Sequence, residues 1–375
     1  MTEKVLITGG AGFIGSHLAD LLITNGYTVV ALDNLHPQVH GKERKRPNYL
    51  HPDVQLIEGD IRDAEAVNKA LENVSYVYHF AAHTGVGQSM YQIEEYLDVN
   101  VRGMAVLLDA ISTRPGQIKK LILASSRAVY GEGSYYCRNC QLRLTPPPRD
   151  IAQLRQAQWE PTCPHCHQEI TAVPTTESDP TSPGSIYAIS KLTQEQTCLI
   201  FGHTYQVPTI VLRFFNVYGP RQSLQNPYTG VINTFLTRLK ANQPPKIYED
   251  GQPTRDFVHV SDIVHACFLA LRSTETSQHI FNIGSGVKMS LIEIAQTISN
   301  CYDGVSPIIT GEFRAGDIRH CFADINNARA ILGYSPRINF ANGIKALLEY
   351  VQNESWDDNS SIAEQELIKR GLSYG

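Results

Sequence analysis

The stretch KVLITGGAGFIGSH, residues 4–17, runs from a short apolar strand through regularly spaced glycines into a helical pattern. Gly9, Gly12 and Gly15 stand three residues apart at the turn between the two. Glycines in this setting permit a tight turn and let backbone N–H groups approach a pyrophosphate at a helix N-terminus. A strand–turn–helix context is the one that this motif requires. The stretch therefore predicts a dinucleotide-binding loop at the start of an α/β fold.

The residue that ends the next predicted strand indicates which dinucleotide is bound. YTVVALD ends in Asp33, 18 residues after Gly15. A carboxylate at this position accepts hydrogen bonds from the adenosine ribose hydroxyls and repels a 2′-phosphate, which favours NAD over NADP. The alternative is a structural glycine turn with an incidental aspartate. Asp60 follows a later strand, where its carboxylate could meet the adenine amino group.

Strand and helix patterns alternate beyond the loop and set the fold class. The apolar runs VQLIEGD, VSYVYHFAA and KKLILASS are separated by helical stretches, an order typical of a parallel sheet covered on both faces. We predict a Rossmann-like, doubly wound NAD-binding domain over residues 1–212. A smaller substrate-binding domain over 213–350 and a C-terminal tail over 351–375 should follow.

The composition excludes several classes of function. The 375 residues carry a net charge of −5, so no basic field favours nucleic acid as a partner. No apolar run approaches the roughly 20 residues that span a membrane, and the first residues lack a signal-peptide pattern. We therefore expect a cytoplasmic protein with reduced cysteines. The scattered cysteines are expected to be buried thiols, at Cys198, Cys267, Cys301 and Cys321.

The motif YAISK places Tyr187 and Lys191 four residues apart, which is one face of a helix. A free tyrosine has a pKa near 10 and is a poor base at neutral pH. A nearby ammonium and a positive nicotinamide should lower that pKa and favour the phenolate. Lys191 could also hold the nicotinamide ribose. The alternative is a solvated helix face.

Two Cys-x-x-Cys pairs, CRNC and CPHC, lie 22 residues apart inside a polar insertion over residues 134–175. This spacing predicts a structural zinc site with four thiolate ligands, Cys137, Cys140, Cys163 and Cys166. His165 and His167 are possible substitutes, and a redox pair, a disulfide or unligated thiols remain alternatives. Because the insertion is poor in apolar residues, it needs a cross-link such as a bound zinc ion to fold. It could keep the flanking strand and helix in register, cover the active-site mouth or form a subunit contact.

The chain resembles the extended short-chain dehydrogenases/reductases, specifically the NAD-dependent sugar-nucleotide epimerases and dehydratases. The resemblance spans residues 3–350 apart from the insertion, and its carriers include TGGAGFIGSH, GDIRD, HFAA, SSRAVYG, YAISK, RDFVHVSDI and FRAGD. It implies catalytic roles for Ser126, Tyr187 and Lys191, with Ser126 preferred over Ser125 because it lies four residues before Tyr130. It implies that NAD is lined by Gly9, Gly12, Phe13, Ile14, Gly15, Asp33, Asn34, Asp60, Ile61, Phe80, Ala81, Ala82, Asn100, Tyr187 and Lys191. It implies that the sugar nucleotide is held by Asn216, Arg255, Arg314 and Asp317.

Within that group the chain is most similar to the dTDP-L-rhamnose 4-epimerases, through HPQVHG, GVGQSMYQIEEY and NVYGPRQSLQNPYTGV. The resemblance implies a homodimer that oxidises the sugar at C4 and returns the hydride to the opposite face. A UDP-glucose or UDP-glucuronate 4-epimerase is the alternative. A 4,6-dehydratase would have an Asp-Glu pair after the catalytic hydroxyl, where this chain has Arg127 and Ala128. Neither side chain supplies the acid and base for removing water.

Overall fold

The structure, a computed structural model, describes residues 2–223, 226, 228, 230–274, 279–302, 305–314, 316–352, 365–366 and 368–374. Among these residues, no helix is both long enough and apolar enough to cross a membrane.

A seven-stranded parallel sheet forms the centre of the molecule. Its strand order is β14-β9-β5-β4-β1-β2-β3, and every neighbouring pair is parallel. The strands are β1 (Lys4–Thr8), β2 (Thr28–Asp33), β3 (Gln55–Glu58), β4 (Tyr76–His79), β5 (Lys120–Ser126), β9 (Thr209–Phe214) and β14 (His279–Ile283). The predicted Rossmann-like α/β fold with a parallel sheet is confirmed.

Helices cover both faces of this sheet, as apolar runs buried on both sides require. One apolar cluster joins the sheet to α1 and α10, and a second joins it to α3, α6 and α8. The helices of this part are α1 (Phe13–Thr24), α2 (Pro37–His40), α3 (Ala64–Ala70), α4 (Val86–Ser89), α5 (Ile93–Leu97), α6 (Gly103–Ser112), α8 (Ile186–Tyr205) and α10 (Val260–Arg272). A π-helical turn (Asp98–Arg102) precedes α6, and a 3-10 turn (Arg127–Tyr130) follows β5.

The sheet takes its seventh strand from beyond the predicted domain boundary at residue 212. β14 pairs with β9 over five residues, and α10, which precedes it in sequence, packs against α1. The segment 213–350 therefore contributes both to the large sheet and to the smaller part. The division into domains stays a prediction.

The smaller part packs three helices around short strands. Its helices are α9 (Val231–Lys240), α11 (Leu291–Asn300) and α12 (Phe340–Gln352). Its strands are β10 (Asn216–Tyr218), β11 (Lys246–Ile247), β12 (Thr254–Arg255), β13 (Phe257–His259), β15 (Met289–Ser290), β16 (Ile308–Ile309), β17 (Phe313–Arg314) and β18 (His320–Cys321). A separate apolar cluster that includes Phe235, Ile298 and Leu347 forms its core. A π-helical turn over Ala328–Leu332 packs instead on α10 and β14 of the large sheet.

The insertion folds as a small antiparallel sheet. β6 (Ser134–Cys137) pairs with both β7 (Leu142–Leu144) and β8 (Thr171–Val173), and a short helix α7 (Ile151–Arg155) lies between β7 and β8. Tyr135, Cys137, Cys163 and Ile170 form its buried cluster. The four cysteines are thus part of a local core.

One of the four scattered cysteines is not buried as expected. Cys301 is exposed, whereas Cys198, Cys267 and Cys321 are buried as expected. Cys301 is the C-cap of α11, where a helix end faces solvent.

In the predicted tail, residues 353–364 lie outside the described residues. Its last described residues form β19 (Ser373–Tyr374), which pairs antiparallel with β17.

Truncation of Phe281 tests the seventh strand. Phe281 lies on β14 and is fully buried (0% exposed), so Phe281→Ala should lower the free energy of unfolding by about 3–5 kcal/mol through the cavity it leaves. Ile200→Ala, at a side chain 67% exposed on α8, is the control and should change it little. Urea titration followed by circular dichroism measures both, and equal stability of the two variants would contradict the strand assignment.

Candidate active site

A single cavity of about 910 Å³ lies at the carboxyl ends of the sheet strands, the edge where open α/β sheets bind ligands. Its wall contains the predicted catalytic residues, the predicted substrate residues and most of the predicted cofactor residues. Two of the predicted cofactor residues, Asp60 and Asn100, are not part of this wall.

The glycine loop is shaped by close backbone contacts. Gly9 has φ of +71°, and a Cβ there would lie 2.9 Å from the amide nitrogen of Ala81. A Cβ on Gly15 would lie 2.4 Å from the carbonyl oxygen of Gly9. Only glycine fits at either position, and the loop leads directly into the N-terminus of α1. The predicted loop is therefore a cradle formed by main-chain atoms, with no side chains at these close contacts.

Asp33 ends β2 and braces the same loop. Its Oδ2 accepts from the N–H of Ala11 at 3.0 Å, and its Oδ1 accepts from the N–H of Leu35 at 2.9 Å. His40 lies 3.7 Å from Oδ1. Burial raises the pKa of Asp33, while His40 and the main-chain N–H groups oppose that rise. Each carboxylate oxygen can still accept a further hydrogen bond.

The side chains of Asp60 and Asn100 are engaged with the protein. Arg62 donates to both oxygens of Asp60, and its hydrogen bonds hold the pKa of that carboxyl far below its usual range. Asn100 is fully buried and bonds the main chain of His83 and the hydroxyl of Ser190. These contacts indicate support of the cavity wall, and a cofactor role for either residue stays a prediction.

The structure separates the two adjacent serines. Ser125 donates its hydroxyl to Glu195, a buried residue of α8. Ser126 faces the phenol of Tyr187 closely enough for its hydroxyl to oppose the rise in the pKa of Tyr187. Its hydroxyl also accepts from the N–H of Ala128. The preference for Ser126 over Ser125 thus has a geometric basis in the described side chains.

Lys191 is held by a chain of buried polar groups. Its Nζ donates to Oε1 of Gln194 at 2.7 Å, and Gln194 in turn contacts the ring of His79. Burial lowers the pKa of Lys191 to about 8, and burial together with the Lys191 charge lowers the pKa of His79 to about 3. His79 is therefore a neutral ring that also bonds the hydroxyl of Thr8.

The expected lowering of the Tyr187 pKa by Lys191 is not what the structure shows. Burial raises the pKa of Tyr187, and the groups that oppose the rise are the Ser126 hydroxyl and the Arg127 guanidinium. The Lys191 ammonium is instead bonded to Gln194. The sequence placed Tyr187 and Lys191 on one helix face but could not reveal the partner of either group.

Two further arginines, Arg255 and Arg314, line the cavity wall. Arg255 donates to the main-chain oxygens of Ile318 at 2.7 Å and Arg319 at 3.0 Å, and Arg314 lies over the ring of Tyr248 at 4.7 Å. Burial and the neighbouring Arg127 lower the pKa of Arg255 to about 10. Arg127 and Arg255 are close enough to disfavour each other's charge, which makes a favourable environment for an anion.

Asn216 adds a buried acceptor to the cavity wall. Its Oδ1 is buried and has no hydrogen-bond partner within the described part of the chain. A buried polar atom without a partner is costly, so a donor from a bound ligand would stabilise it.

Arg127 is a wall residue that the sequence reasoning used only to argue against dehydration. Its position directly after Ser126 was the available signal, because a side chain at the end of a parallel strand faces the ligand edge.

The four cysteines of the insertion come together. Their sulfur atoms all lie within 4.8 Å of one another, with Cys137–Cys166 at 3.5 Å and Cys140–Cys163 at 3.9 Å. These distances exceed a disulfide bond of about 2.05 Å and match the edge of about 3.8 Å that a tetrahedron with 2.3 Å zinc–sulfur bonds would have.

A residue in the left-handed conformation follows each Cys-x-x-Cys pair. The residue after each pair, Gln141 and His167, has a left-handed φ of 51° and 58°. Cys137 Sγ accepts from the N–H of Cys140. The arrangement can hold one metal ion with four sulfur ligands.

Comparison with protein-family models gives one match. The model described as "NAD dependent epimerase/dehydratase family" matches residues 5–150 and 162–284. The unmatched residues 151–161 lie inside the insertion, between its two cysteine pairs.

Known relatives cover nearly the whole chain. A dTDP-L-rhamnose 4-epimerase from Burkholderia thailandensis is 36% identical over 356 residues, which is 94% of this chain and 96% of the relative. The solved structure of a UDP-N-acetylglucosamine 4-epimerase from Methanobrevibacter ruminantium M1, in complex with UDP-N-acetylmuramic acid, has a TM-score of 0.76 and 29% identity and covers 95% of this chain and 100% of that one. A UDP-glucuronic acid 4-epimerase from Bacillus cereus, in complex with UDP-glucuronic acid and NAD, has a TM-score of 0.74 and 26% identity and covers 93% and 99%.

Proposed function

We propose that this chain, which belongs to the NAD dependent epimerase/dehydratase family, is a nucleotide-sugar 4-epimerase that acts on dTDP-L-rhamnose. The observation that carries the proposal is the single cavity that brings Ser126, Tyr187 and Lys191 between a glycine cradle and two arginines. The 4-epimerase activity is supported by relatives with this activity that cover 93–95% of the chain. The choice of substrate rests on the rhamnose relative and on the motifs shared with its subfamily.

NAD fits the cradle formed by the first residues. Its pyrophosphate would lie against the backbone of Gly9, Gly12 and Gly15, and its adenosine ribose would meet Asp33. A Cβ has no room at Gly9 or Gly15. Phe13, Ile14, Asn34, Ile61, Phe80, Ala81 and Ala82 complete the wall. When bound, NAD supplies the acceptor for the C4 hydride and the donor for its return.

The chain's own residues manage the proton and the orientation of the sugar. The Tyr187 oxygen takes the proton from the C4 hydroxyl and later gives it back, and the Ser126 hydroxyl hydrogen-bonds the same sugar oxygen. Lys191, held by Gln194, would bind the nicotinamide ribose with its ammonium. Because burial raises the pKa of Tyr187, its loss of a proton depends on positive charge nearby, which Arg127 supplies and a bound nicotinamide would increase.

The clamp on the nucleotide makes inversion possible. Arg255 and Arg314 would hold the diphosphate, with Asp317 at the nucleotide ribose and Asn216 at the sugar. With the nucleotide fixed, the 4-keto sugar can turn within the cavity and present its other face. Since Arg127 and Ala128 stand where a dehydratase needs an acid and a base, water is not removed and the sugar is released as the 4-epimer.

Replacement of Tyr187 by phenylalanine tests the proton-transfer role. Tyr187→Phe should lower kcat at least about 100-fold, because the C4 hydroxyl loses its general base, while bound NAD is retained. Tyr205→Phe on the same helix, at a side chain 53% exposed, should keep full activity. Steady-state kinetics with an HPLC assay of bound NAD measures both properties. Near-normal turnover in Tyr187→Phe would contradict the mechanism.

A substrate panel tests the activity and the sugar together. Purified protein is incubated without added NAD with dTDP-L-rhamnose, UDP-glucose, UDP-glucuronate and dTDP-glucose, and the products are resolved by NMR. A new 4-epimer from dTDP-L-rhamnose is the expected result. Epimerisation of a UDP-sugar alone would keep the catalytic roles and discard the substrate. A 4-keto-6-deoxy product from dTDP-glucose would contradict the argument from Arg127 and Ala128.

We also propose that the four cysteines bind one structural zinc ion. Cys137, Cys140, Cys163 and Cys166 would fill all four tetrahedral positions and leave none for substrate. Support comes from the sulfur distances and from the left-handed residue that follows each cysteine pair. The zinc would link the two ends of a polar insertion that has only a small apolar cluster of its own.

Metal analysis of cysteine variants tests the zinc proposal. The wild-type chain should contain about one zinc by mass spectrometry, and Cys163→Ser should lose the zinc and melt at a lower temperature. Cys301→Ser, at the exposed cysteine, should retain both the zinc and the melting temperature. Full stability after removal of zinc by a chelator under reducing conditions would contradict a structural role.

A homodimer and a cytoplasmic location complete the proposal. The homodimer has modest support from exposed apolar side chains on α8, where Ile189 and Ile200 lie on one helical stripe. Light scattering of the purified protein measures the oligomeric state. The location stays a prediction.

A further inference from the structure

The insertion places one buried arginine against the part of the chain that contains Arg255 and Asp317, two residues proposed to bind the nucleotide. The guanidinium of Arg149 is 1% exposed and contacts both carboxylate oxygens of Glu249, at 2.8 and 2.9 Å. It also donates to the main-chain oxygen of Asp317 at 2.7 Å. Arg149 therefore bonds directly to the main chain of a residue proposed to bind the nucleotide.

The insertion also supplies one carboxylate to the same segment. Oε1 of Glu160 accepts from Arg319 at 2.6 and 2.8 Å, and Oε2 bonds the ring of His320 at 3.1 Å. Arg319 is 1% exposed and binds Glu249 and Asp250 with its remaining donors. Each side therefore contributes one cation and one carboxylate. Arg149 of the insertion pairs with Glu249, and Glu160 of the insertion pairs with Arg319.

Residues 317–320, which Arg149 and Glu160 contact, also orient Arg255. Arg255 donates to the main-chain oxygens of Ile318 and Arg319, and His320 bonds the hydroxyl of Thr254, the preceding residue, at 2.7 Å. A shift of residues 317–320 would therefore move both Asp317 and the guanidinium of Arg255.

We propose that Arg149 and Glu160 are positioning residues for the nucleoside-diphosphate clamp, so that the insertion controls affinity for the substrate. This inference rests on the proposed function, which assigns Arg255 and Asp317 to the nucleotide. The Arg149–Glu249 pair is bidentate and buried, so it fixes orientation as well as charge and is shielded from water. The Glu160 carboxylate is 53% exposed and adds two contacts to the buried guanidinium of Arg319. The insertion thereby keeps the main-chain oxygens of Ile318 and Arg319 within hydrogen-bond distance of the Arg255 guanidinium.

The position of the thiol cluster agrees with this role. Arg149 and Glu160 both lie between the two cysteine pairs. Closing the cluster fixes both ends of the loop that carries them. Their hydrogen bonds among the described residues reach Trp159, Glu249 and residues 317–320, and none reaches the glycine cradle. Loss of either side chain should therefore affect the nucleotide and leave NAD in place.

The test measures dTDP binding and NAD retention in the same purified, NAD-containing protein. Isothermal titration with dTDP is carried out on wild type, Arg149→Lys, Arg149→Met and the control Arg138→Met, at an exposed arginine of the same insertion. Arg149→Met should raise the Kd for dTDP about tenfold or more. Arg149→Lys, which keeps the charge and loses the fork, should also raise it. With the sugar nucleotide, KM should rise while kcat stays close to wild type.

Each outcome decides the inference. A raised Kd with full NAD content and unchanged Arg138→Met supports the positioning role. An unchanged Kd in both Arg149 variants overturns it. Parallel loss of dTDP binding and NAD in Arg149→Lys, the milder variant, also overturns it, because the network would then serve general stability. Wild-type protein that binds neither dTDP nor UDP would overturn the proposed function and this inference together.

Discussion

The buried ion pair between Arg213 and Glu195 is the interaction on which the active site depends. Arg213 lies on β9 and Glu195 on α8, with side chains 4% and 1% exposed and contacts of 2.7 and 2.9 Å. Glu195 also accepts from Ser125 on β5. The pair therefore fixes the helix that carries Tyr187 and Lys191 against the strand that ends in Ser126. Removal of one partner from such a pair costs about 3–5 kcal/mol because the other charge stays buried.

The same constraint extends to the seventh strand. Arg213 donates to the hydroxyl of Tyr130 at 2.8 Å, and Tyr130 donates to Asn282 on β14 at 2.7 Å. A single buried network thus joins β5, β9, β14 and α8. The proposed proton-transfer groups rest on this rigid part of the sheet, whereas the proposed nucleotide clamp rests on the smaller part and on the insertion. This division would let the sugar turn beside the sheet while the smaller part holds its nucleotide.

The local features were predictable from sequence because their physical causes are local. The glycine cradle follows from the spacing of Gly9, Gly12 and Gly15, and the shared face of Tyr187 and Lys191 follows from the period of a helix. The clustering of four cysteines follows from paired spacings that only a folded loop can satisfy. The parallel sheet follows from the alternation of strand and helix patterns.

The long-range contacts were not predictable in the same way. The strand that contains Phe281 joins the sheet from beyond the expected boundary, because strand pairing depends on contacts distant in sequence. The engagement of Asp60 by Arg62 and the full burial of Asn100 required coordinates. The pKa of Tyr187 rises because burial outweighs the charges nearby, a balance that composition and spacing do not report.

The central claim is that one cavity oxidises and reduces the same sugar carbon. The most direct test uses dTDP-L-rhamnose deuterated at C4, mixed with undeuterated substrate that carries ¹³C, in buffer without added NAD. The account predicts that the 4-epimer retains deuterium at C4 and that no deuterium crosses to the ¹³C-labelled molecules. Loss of deuterium to solvent, or its appearance in the ¹³C-labelled product, would contradict it.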